Sequence, residues 1–337
     1  MKFPKNLIIA EVGQNHDGSL GTAHSYIDEI AKTGADAVKF QMHFADEESS
    51  LDDKFRKNFS YKTETRYQYW KRMEFSTEEW QQLYKHAKSK NLIFICSPFS
   101  IKAFNILNKM RVQFWKIASG EINNLELISK MISTNKKILL STGMSSIDEI
   151  KKITNFFKKK SFSKFILMQC TTKYPVKFNE IGIDILDYYK ANFKCEVGLS
   201  DHSGSPYPSI YAISKNASVI EVHVTFNKFL FGPDIKSSVN FEQLKQIVDF
   251  RNSKILMDNK FFDKNKISKK LTIYKNLFGR SLALNKNLVK GEKILNKYLT
   301  LKKPGTGISL NLKKKIIGKR AIKNLDCRRL LKLSDLK

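Results

Sequence analysis

The chain has 337 residues, of which 42% are hydrophobic and 12% aromatic; that is enough apolar material for a large core and excludes a disordered polypeptide. Its apolar runs, such as Phe165-Ile-Leu-Met168, fall far short of the roughly 18 residues a membrane span needs, and the start Met1-Lys-Phe-Pro-Lys5 carries no apolar leader, so secretion and membrane insertion are not expected. The net charge is +28, from 60 Lys/Arg against 32 Asp/Glu, which favours anionic partners.

The pattern predicts a strand over Leu7–Val12, a helix over Thr22–Thr33 and a strand over Ala37–Gln41. A long connection, residues 42–76, follows; it holds a charged stretch with Tyr61, Tyr67, Tyr69 and Trp70 and reads as a lid or an interface. A helix over Thr77–Lys88 then starts at Ser76-Thr-Glu-Glu79. Strand and helix patterns alternate from there: Leu92–Cys96 and Ile101–Lys109, Phe114–Ala118 and Leu125–Ser133, Ile138–Ser141 and Ser146–Phe157. The last of these helices carries the start signal Ser145-Ser-Ile-Asp148. The series ends with Phe165–Cys170 and Ile183–Tyr189, Glu196–Ser200 and Pro206–Lys215, Val219–Thr225 and Phe241–Arg251. Eight β/α units in about 250 residues have the size and rhythm of a (β/α)8 barrel, with an open doubly wound sheet as the alternative.

The barrel is expected to span residues 1–257, followed by an Asn/Lys-rich linker over 258–278. Residues 279–337 contain short runs (Ser281–Leu284, Val289–Glu292, Tyr298–Leu301, Pro304–Gly307, Ile316–Ala321) separated by glycine turns, which read as a small, mostly β domain. About 60 residues make a marginal core, so this domain is expected to pack on the barrel or on a partner subunit. Residues 263–337 hold 22 Lys/Arg against 4 Asp/Glu. Clustered lysines can bind nucleic-acid phosphates, but here they alternate with apolar residues, as in Leu312-Lys-Lys-Lys-Ile316, and read as solvated faces. Cys96, Cys170, Cys195 and Cys327 show no CxxC spacing and read as free thiols of a reducing cytoplasm.

In a barrel the C-terminal strand ends gather in one place. They would bring together Glu11, Lys39, Gln41, Ser97, Lys116, Ser119, Glu121, Ser141, Thr142, Thr171, Thr172, Ser200, Asp201, His202, Glu221 and His223. His202 and His223 fall on neighbouring strands and can together hold a divalent metal with positions left for water or substrate; each alone reads as a buried structural histidine. His16, in Asn15-His-Asp-Gly18, reads as a site residue or as the structural histidine of a tight turn, and His24, His43 and His86 receive no role. Lys39 and Lys116 lie inside apolar strands, where an unpaired ammonium is costly. A buried Glu11 or Glu121 would balance them, or a bound phosphate or carboxylate would, with Ser97, Ser119, Ser141 and Ser200 adding hydroxyls. A Schiff-base lysine is the competing chemistry.

Seven motifs then occur in order: Ile9-Ala-Glu-Val-Gly-Gln-Asn-His16, Gly34-Ala-Asp-Ala-Val-Lys-Phe-Gln41, Lys116-Ile-Ala-Ser-Gly-Glu121, Ser141-Thr-Gly-Met144, Gly198-Leu-Ser-Asp-His202, Gly232-Pro-Asp234 and Pro304-Gly-Thr-Gly307. The ordered set resembles the sialic acid synthases across nearly the whole chain. The resemblance implies a (β/α)8 TIM barrel followed by a small, mostly β antifreeze-like (SAF) domain in a domain-swapped homodimer. It implies a transferase that condenses phosphoenolpyruvate with N-acetylmannosamine to N-acetylneuraminate and phosphate by C–O cleavage.

By the same resemblance, His202 and His223 would hold a divalent metal, manganese first, with magnesium or cobalt as substitutes. Lys39, Ser97, Lys116, Ser119, Ser141, Thr172 and Ser200 would bind phosphoenolpyruvate. Glu11, Gln41, Glu121, Tyr174 and Asp234 would surround the sugar and the reacting centre, with Glu11 handling protons. The residue before Pro-Gly-x-Gly is often Arg in the family, reaching the sugar's N-acyl group from the partner's C-terminal domain. Here it is Lys303, which keeps the charge but not the planar fork. A sibling synthase making legionaminic or pseudaminic acid is therefore the alternative; a Schiff-base aldolase and a polyanion-binding protein are more remote.

Overall fold

The computed structural model describes residues 4–55, 64–259 and 261–337; Tyr61 and the start Met1–Phe3 lie outside them. The chain divides into two compact units, Met1–Met257 and Asp258–Lys337.

The first unit runs β1 (Leu7–Gly13), α1 (Leu20–Thr33), β2 (Ala37–Met42), α2 (Ala45–Glu48), α3 (Arg66–Met73), α4 (Thr77–Ser89), β3 (Ile93–Pro98), α5 (Ile101–Lys109) and β4 (Phe114–Ile117). It continues with α6 (Leu125–Ser133), β5 (Lys137–Ser141), α7 (Ile147–Lys159), β6 (Phe165–Cys170), α8 (Ile185–Phe193), β7 (Glu196–Asp201), α9 (Tyr207–Ser214), β8 (Val219–His223) and α10 (Phe241–Asp258). All eight strands are parallel, in the order β3-β2-β1-β8-β7-β6-β5-β4. The first strand pairs with the last, Glu11 opposite His223, which an open doubly wound sheet does not do. Among the described residues β3 and the four-residue β4 lie side by side without a ladder, so the (β/α)8 barrel is nearly closed.

Alternation along the strands builds the core and the site together. Leu7, Ile9, Ala37, Ile93, Ile95, Leu139, Ile166, Met168 and Val219 form one buried apolar cluster, the barrel interior. Their neighbours in sequence, such as Ile8, Val38, Phe94 and Leu140, join the larger cluster with the helices. On the interior face the next residues along are polar: Glu11 after Ile9, Lys39 after Ala37, Ser97 after Ile95, Ser141 after Leu139, Glu221 after Val219.

Local starts follow capping chemistry. Ser76 and Glu79 form a capping box on α4. On α7 the box is Ser146 with Glu149, one residue beyond the predicted Ser145–Asp148, and Glu149 Oε2 accepts the Ser146 N–H at 2.7 Å. The described residues of the 42–76 segment are held in place by packing and hydrogen bonds. α2 and α3 share a buried cluster of Ala45, Tyr69, Trp70 and Met73, Ala45 N–H donates to Glu74 at 2.8 Å, and Tyr69 donates to Gln14 at 2.8 Å.

In the second unit, the region read as a linker carries two short helices, α11 (Lys264–Lys270) and α12 (Thr272–Phe278). Asp263 starts the first by accepting from the N–H groups of Asn265 and Lys266. β9 (Ser281–Leu284) pairs antiparallel with β10 (Leu299–Lys302), and α13 (Lys313–Ile316) exposes lysines while burying Ile316. Leu282, Leu284, Leu288, Ile294, Ile308, Ile316 and Leu325 anchor its own core. No described helix is long and apolar enough to cross a membrane, and all four cysteines are free thiols.

Candidate active site

The polar layer at the C-terminal strand ends surrounds a cavity of about 360 Å³. Lys39, Gln41, Ser97, Lys116, Ser119, Glu121 and Ser141 line one part of its wall. Thr172, Tyr174, Ser200, His202, His223 and Asp234 line the rest. Glu11 is not part of that lining; it is fully buried and reached through Lys39 and Gln41. Lys303 belongs to the second unit, where it is exposed and its ammonium lies 5.7 Å from the Phe278 ring.

Two lysines and two glutamates form the charged floor. Lys39 Nζ lies 2.5 Å from Glu11 Oε2 and 3.5 Å from Glu221 Oε1. Lys116 Nζ lies 3.3 Å from the same Glu221 oxygen and donates to Ser141 Oγ at 2.8 Å. Ser200 Oγ donates to Glu221 Oε1 at 3.3 Å. The partner of Lys116 is therefore Glu221 and not Glu121, which instead accepts from Asn124 Nδ2 at 2.8 Å. Burial is the strongest influence on Glu221 and would raise it, but Lys116 and then Lys39 outweigh burial and hold its carboxyl at about 2. Burial also acts most strongly on Lys39, yet Glu11 and Glu221 keep its pKa above the usual lysine value. On Lys116 burial prevails against Glu221, helped by the like charge of Lys39, and its pKa falls.

The two imidazoles stand 5.4 Å apart between ring centroids. His202 Nδ1 donates to the Thr171 carbonyl at 2.9 Å, and Cys170 Sγ lies 3.8 Å from Nδ1 and 4.0 Å from Nε2. Burial works against charge on His202, but Cys170, the Thr171 carbonyl and Asp201 together raise it to about 9. Burial lowers His223. Tyr174 stacks on His202 at 4.1 Å and meets His223 edge-on at 6.1 Å. Gly13 admits this corner: its φ is +54°, and a Cβ there would crowd the His223 ring and Asp234. Gly143 does the same opposite, donating its N–H to Ser119 Oγ at 3.0 Å where a Cβ would collide with Thr172 and Cys170.

Among the described residues, the buried atoms Ser97 Oγ, Thr172 Oγ1, Glu221 Oε2 and His223 Nδ1 have no hydrogen-bond partner. Unmet polar atoms in one wall fit a cavity made for a polar, charged occupant. No group of three or more His, Cys, Asp or Glu among the described residues is spaced to hold a metal, so the imidazole pair would leave several positions open.

His16 is the structural histidine of its turn: it accepts the Gly18 N–H at 3.1 Å and packs 4.8 Å from Phe75. Burial, then His43 and Arg72, pull its pKa down to about 3. Sequence reasoning placed Glu221 at the strand ends but gave it no role, and it gave no site role to His43, Gln14, Cys170 and Phe99, or to the Glu48, Asp53, Arg66 and Trp70 that the 42–76 segment adds to the wall. Glu221 and Cys170 were legible as interior-face positions of β8 and β6; the insertion residues carry no periodic signal.

Residues 26–260 match the NeuB family. The chain is 36% identical over 328 residues to an N,N'-diacetyllegionaminic acid synthase of Campylobacter jejuni, covering 95% of this chain and 97% of the relative. It is 32% identical over 326 residues to an N,N'-diacetyllegionaminic acid synthase of Legionella pneumophila, covering 94% and 91%. Among solved structures, the N-acetylneuraminic acid synthetase of Leptospira borgpetersenii, in complex with citrate, matches with a TM-score of 0.68 and 28% identity, covering 82% of this chain and 93% of that one. With its barrel, its ordered motifs and these relatives, the chain belongs to the NeuB family.

Proposed function

We propose that the chain condenses phosphoenolpyruvate with a diacetamido hexose to a legionaminic-type nine-carbon acid and phosphate. The observation that carries the reading is the grouping of two buried lysines, several hydroxyls and an imidazole pair around one cavity. The two relatives named as legionaminic acid synthases, aligned over nine-tenths of each chain, favour this product over the N-acetylneuraminate expected from the motifs. Lys303, in place of the family's usual Arg, agrees with a different acyl-group partner.

In this reading Lys39 and Lys116, already held by Glu221, meet the phosphate and carboxylate of phosphoenolpyruvate, and Ser97, Ser119, Ser141, Thr172 and Ser200 add hydroxyl donors. C3 of phosphoenolpyruvate bonds to the aldehyde carbon of the open-chain sugar, water adds at C2, and phosphate leaves with C–O cleavage. Gln41, Glu121, Tyr174 and Asp234, which also line the cavity, would meet the sugar. Glu11, beneath the floor, accepts from Lys39 and Gln41 and takes part in proton handling through them. A manganese ion, or magnesium or cobalt in its place, would be held by His202 and His223 and would polarise the aldehyde. His223 Nδ1, with no hydrogen bond and Asp234 Oδ2 3.8 Å away, and the His202 ring that Thr171 orients fit that group, which would displace the second ring proton of His202. The second unit is assigned the role of an antifreeze-like domain, and a homodimer would give Lys303 a partner's sugar to meet.

Phosphate release with manganese tests the product. A diacetamido hexose is expected to exceed N-acetylmannosamine in kcat/KM on the order of 100-fold; the reverse order would return the reading to N-acetylneuraminate. The metal assignment predicts that His202→Ala loses manganese binding, read as unbound Mn²⁺ by electron paramagnetic resonance, while circular dichroism stays unchanged. Undiminished manganese binding would contradict it. The lowered pKa of Lys116 also suits a Schiff-base nucleophile; borohydride trapping of Lys116 with substrate would replace the proposed mechanism with that one.

A further inference from the structure

His43 follows β2 directly, two residues beyond Gln41, and is buried. The mechanism above gives it no part. Its ring lies between two aromatic faces, Trp70 at 4.0 Å and 26°, and Phe99 at 4.3 Å and 22°. Both ring nitrogens are engaged: Nδ1 lies 3.0 and 3.1 Å from the two Glu48 oxygens, and Nε2 lies 3.1 Å from Gln41 Oε1. On its other side Gln41 Nε2 donates to Glu11 Oε1 at 2.8 Å, and Glu11 Oε2 accepts from Lys39 at 2.5 Å.

A carboxamide can be turned end for end, and only its partners decide which end faces where. An ionised Glu11 can only accept, so it needs the Gln41 NH₂. The Gln41 oxygen then faces His43, which must donate from Nε2. Glu48 lies on the Nδ1 side and is itself fixed by the Phe44 N–H at 2.8 Å. The result is one line of hydrogen bonds from Glu48 on α2, through His43 and Gln41, to Glu11 and Lys39. With His43 gone, the Gln41 oxygen loses its partner in that line, and the amide is held from the Glu11 end alone.

We infer that His43, oriented by Glu48 and clamped by Trp70 and Phe99, is a positioning residue. It fixes the Gln41 amide, and through it the Glu11–Lys39 pair, in the arrangement that turnover requires. The inference rests on the proposed synthase reading. It also gives the segment after β2 a part in the chemistry, because Glu48 and Trp70 both belong to it.

A double-mutant cycle on the full-length protein tests this, with phosphate release from phosphoenolpyruvate as the readout. His43→Ala should lower kcat roughly 10- to 100-fold, with the KM for phosphoenolpyruvate changed by less than about threefold. Gln41→Ala should cost a similar factor, and the double variant should cost no more than the worse single, because one residue acts through the other. Losses that multiply in the double variant, or a kcat untouched by His43→Ala, overturn the inference. Glu48→Gln keeps the stacked ring and guards against misfolding of His43→Ala; it should lower kcat in the same coupled way. If the wild-type protein turns over no sugar at all, the synthase reading fails, and crystal structures of the wild type and Glu48→Gln decide the positioning role alone. Loss of the Gln41 Nε2–Glu11 Oε1 contact in the variant supports it, and an unchanged contact overturns it.

Discussion

His16 shows how a single residue ties stability to pH. Its folded pKa of about 3 lies below the value of about 6.5 it would have unfolded. Between those values the unfolded chain binds the extra proton, so its contribution is complete above about pH 6.5 and declines as pH falls toward 3. Urea unfolding at pH 7 and pH 5 should show the wild type losing about 2 kcal/mol more than His16→Asn over that step. Equal losses in the two proteins would show that His16 is not buried in its neutral form. The charged floor raises the same question of partners. The sequence demanded a counter-charge for Lys39 and Lys116, and one of the two candidates, Glu11, is there. Glu121 faces Asn124 instead, because a short 3-10 turn over Ser119–Glu121 carries it past the strand end. Glu221, on the interior face of β8, serves both lysines.

At the scale of elements, what was legible depended on period. The eight strands were readable because each combines an outward apolar row with an inward row that turns polar at one end, as in Leu7-x-Ile9-x-Glu11 and Val219-x-Glu221-x-His223. The starts of the predicted helices were readable to within two residues. The box on α7 uses Ser146 and Glu149, so Ser146→Ala should cost about 1 kcal/mol of unfolding free energy; Ser145→Ala should not cost that cap energy. Equal effects would place the cap one residue earlier. The short helices α11 and α12 were not legible, since none of their residues is buried and apolar ones such as Ile273 and Leu277 are exposed, so they form no buried stripe. The 42–76 segment was legible only as long. Its place in the wall comes from contacts distant in sequence, Tyr69 to Gln14 and Ala45 to Glu74. His43 was passed over for the same reason, since its partners Glu48, Trp70 and Phe99 share no spacing with it.

For the whole molecule, the barrel explains how residues from Glu11 to Asp234 come to share one site, and the net charge of +28 suits anionic substrates that arrive by diffusion. Much of that charge falls in residues 263–337, where lysines interleave with the residues of a separate small core. Two of the barrel's lysines are different in kind, because Lys39 and Lys116 are buried and line the cavity. The central claim is a condensation in which phosphoenolpyruvate loses phosphate by C–O cleavage. The most direct measurement uses phosphoenolpyruvate labelled with ¹⁸O at the bridging oxygen, with manganese and a diacetamido hexose, followed by mass spectrometry of both products. The account predicts a nine-carbon acid without the label and phosphate that carries it. Label retained in the acid, or no acid from any amino sugar, would contradict it.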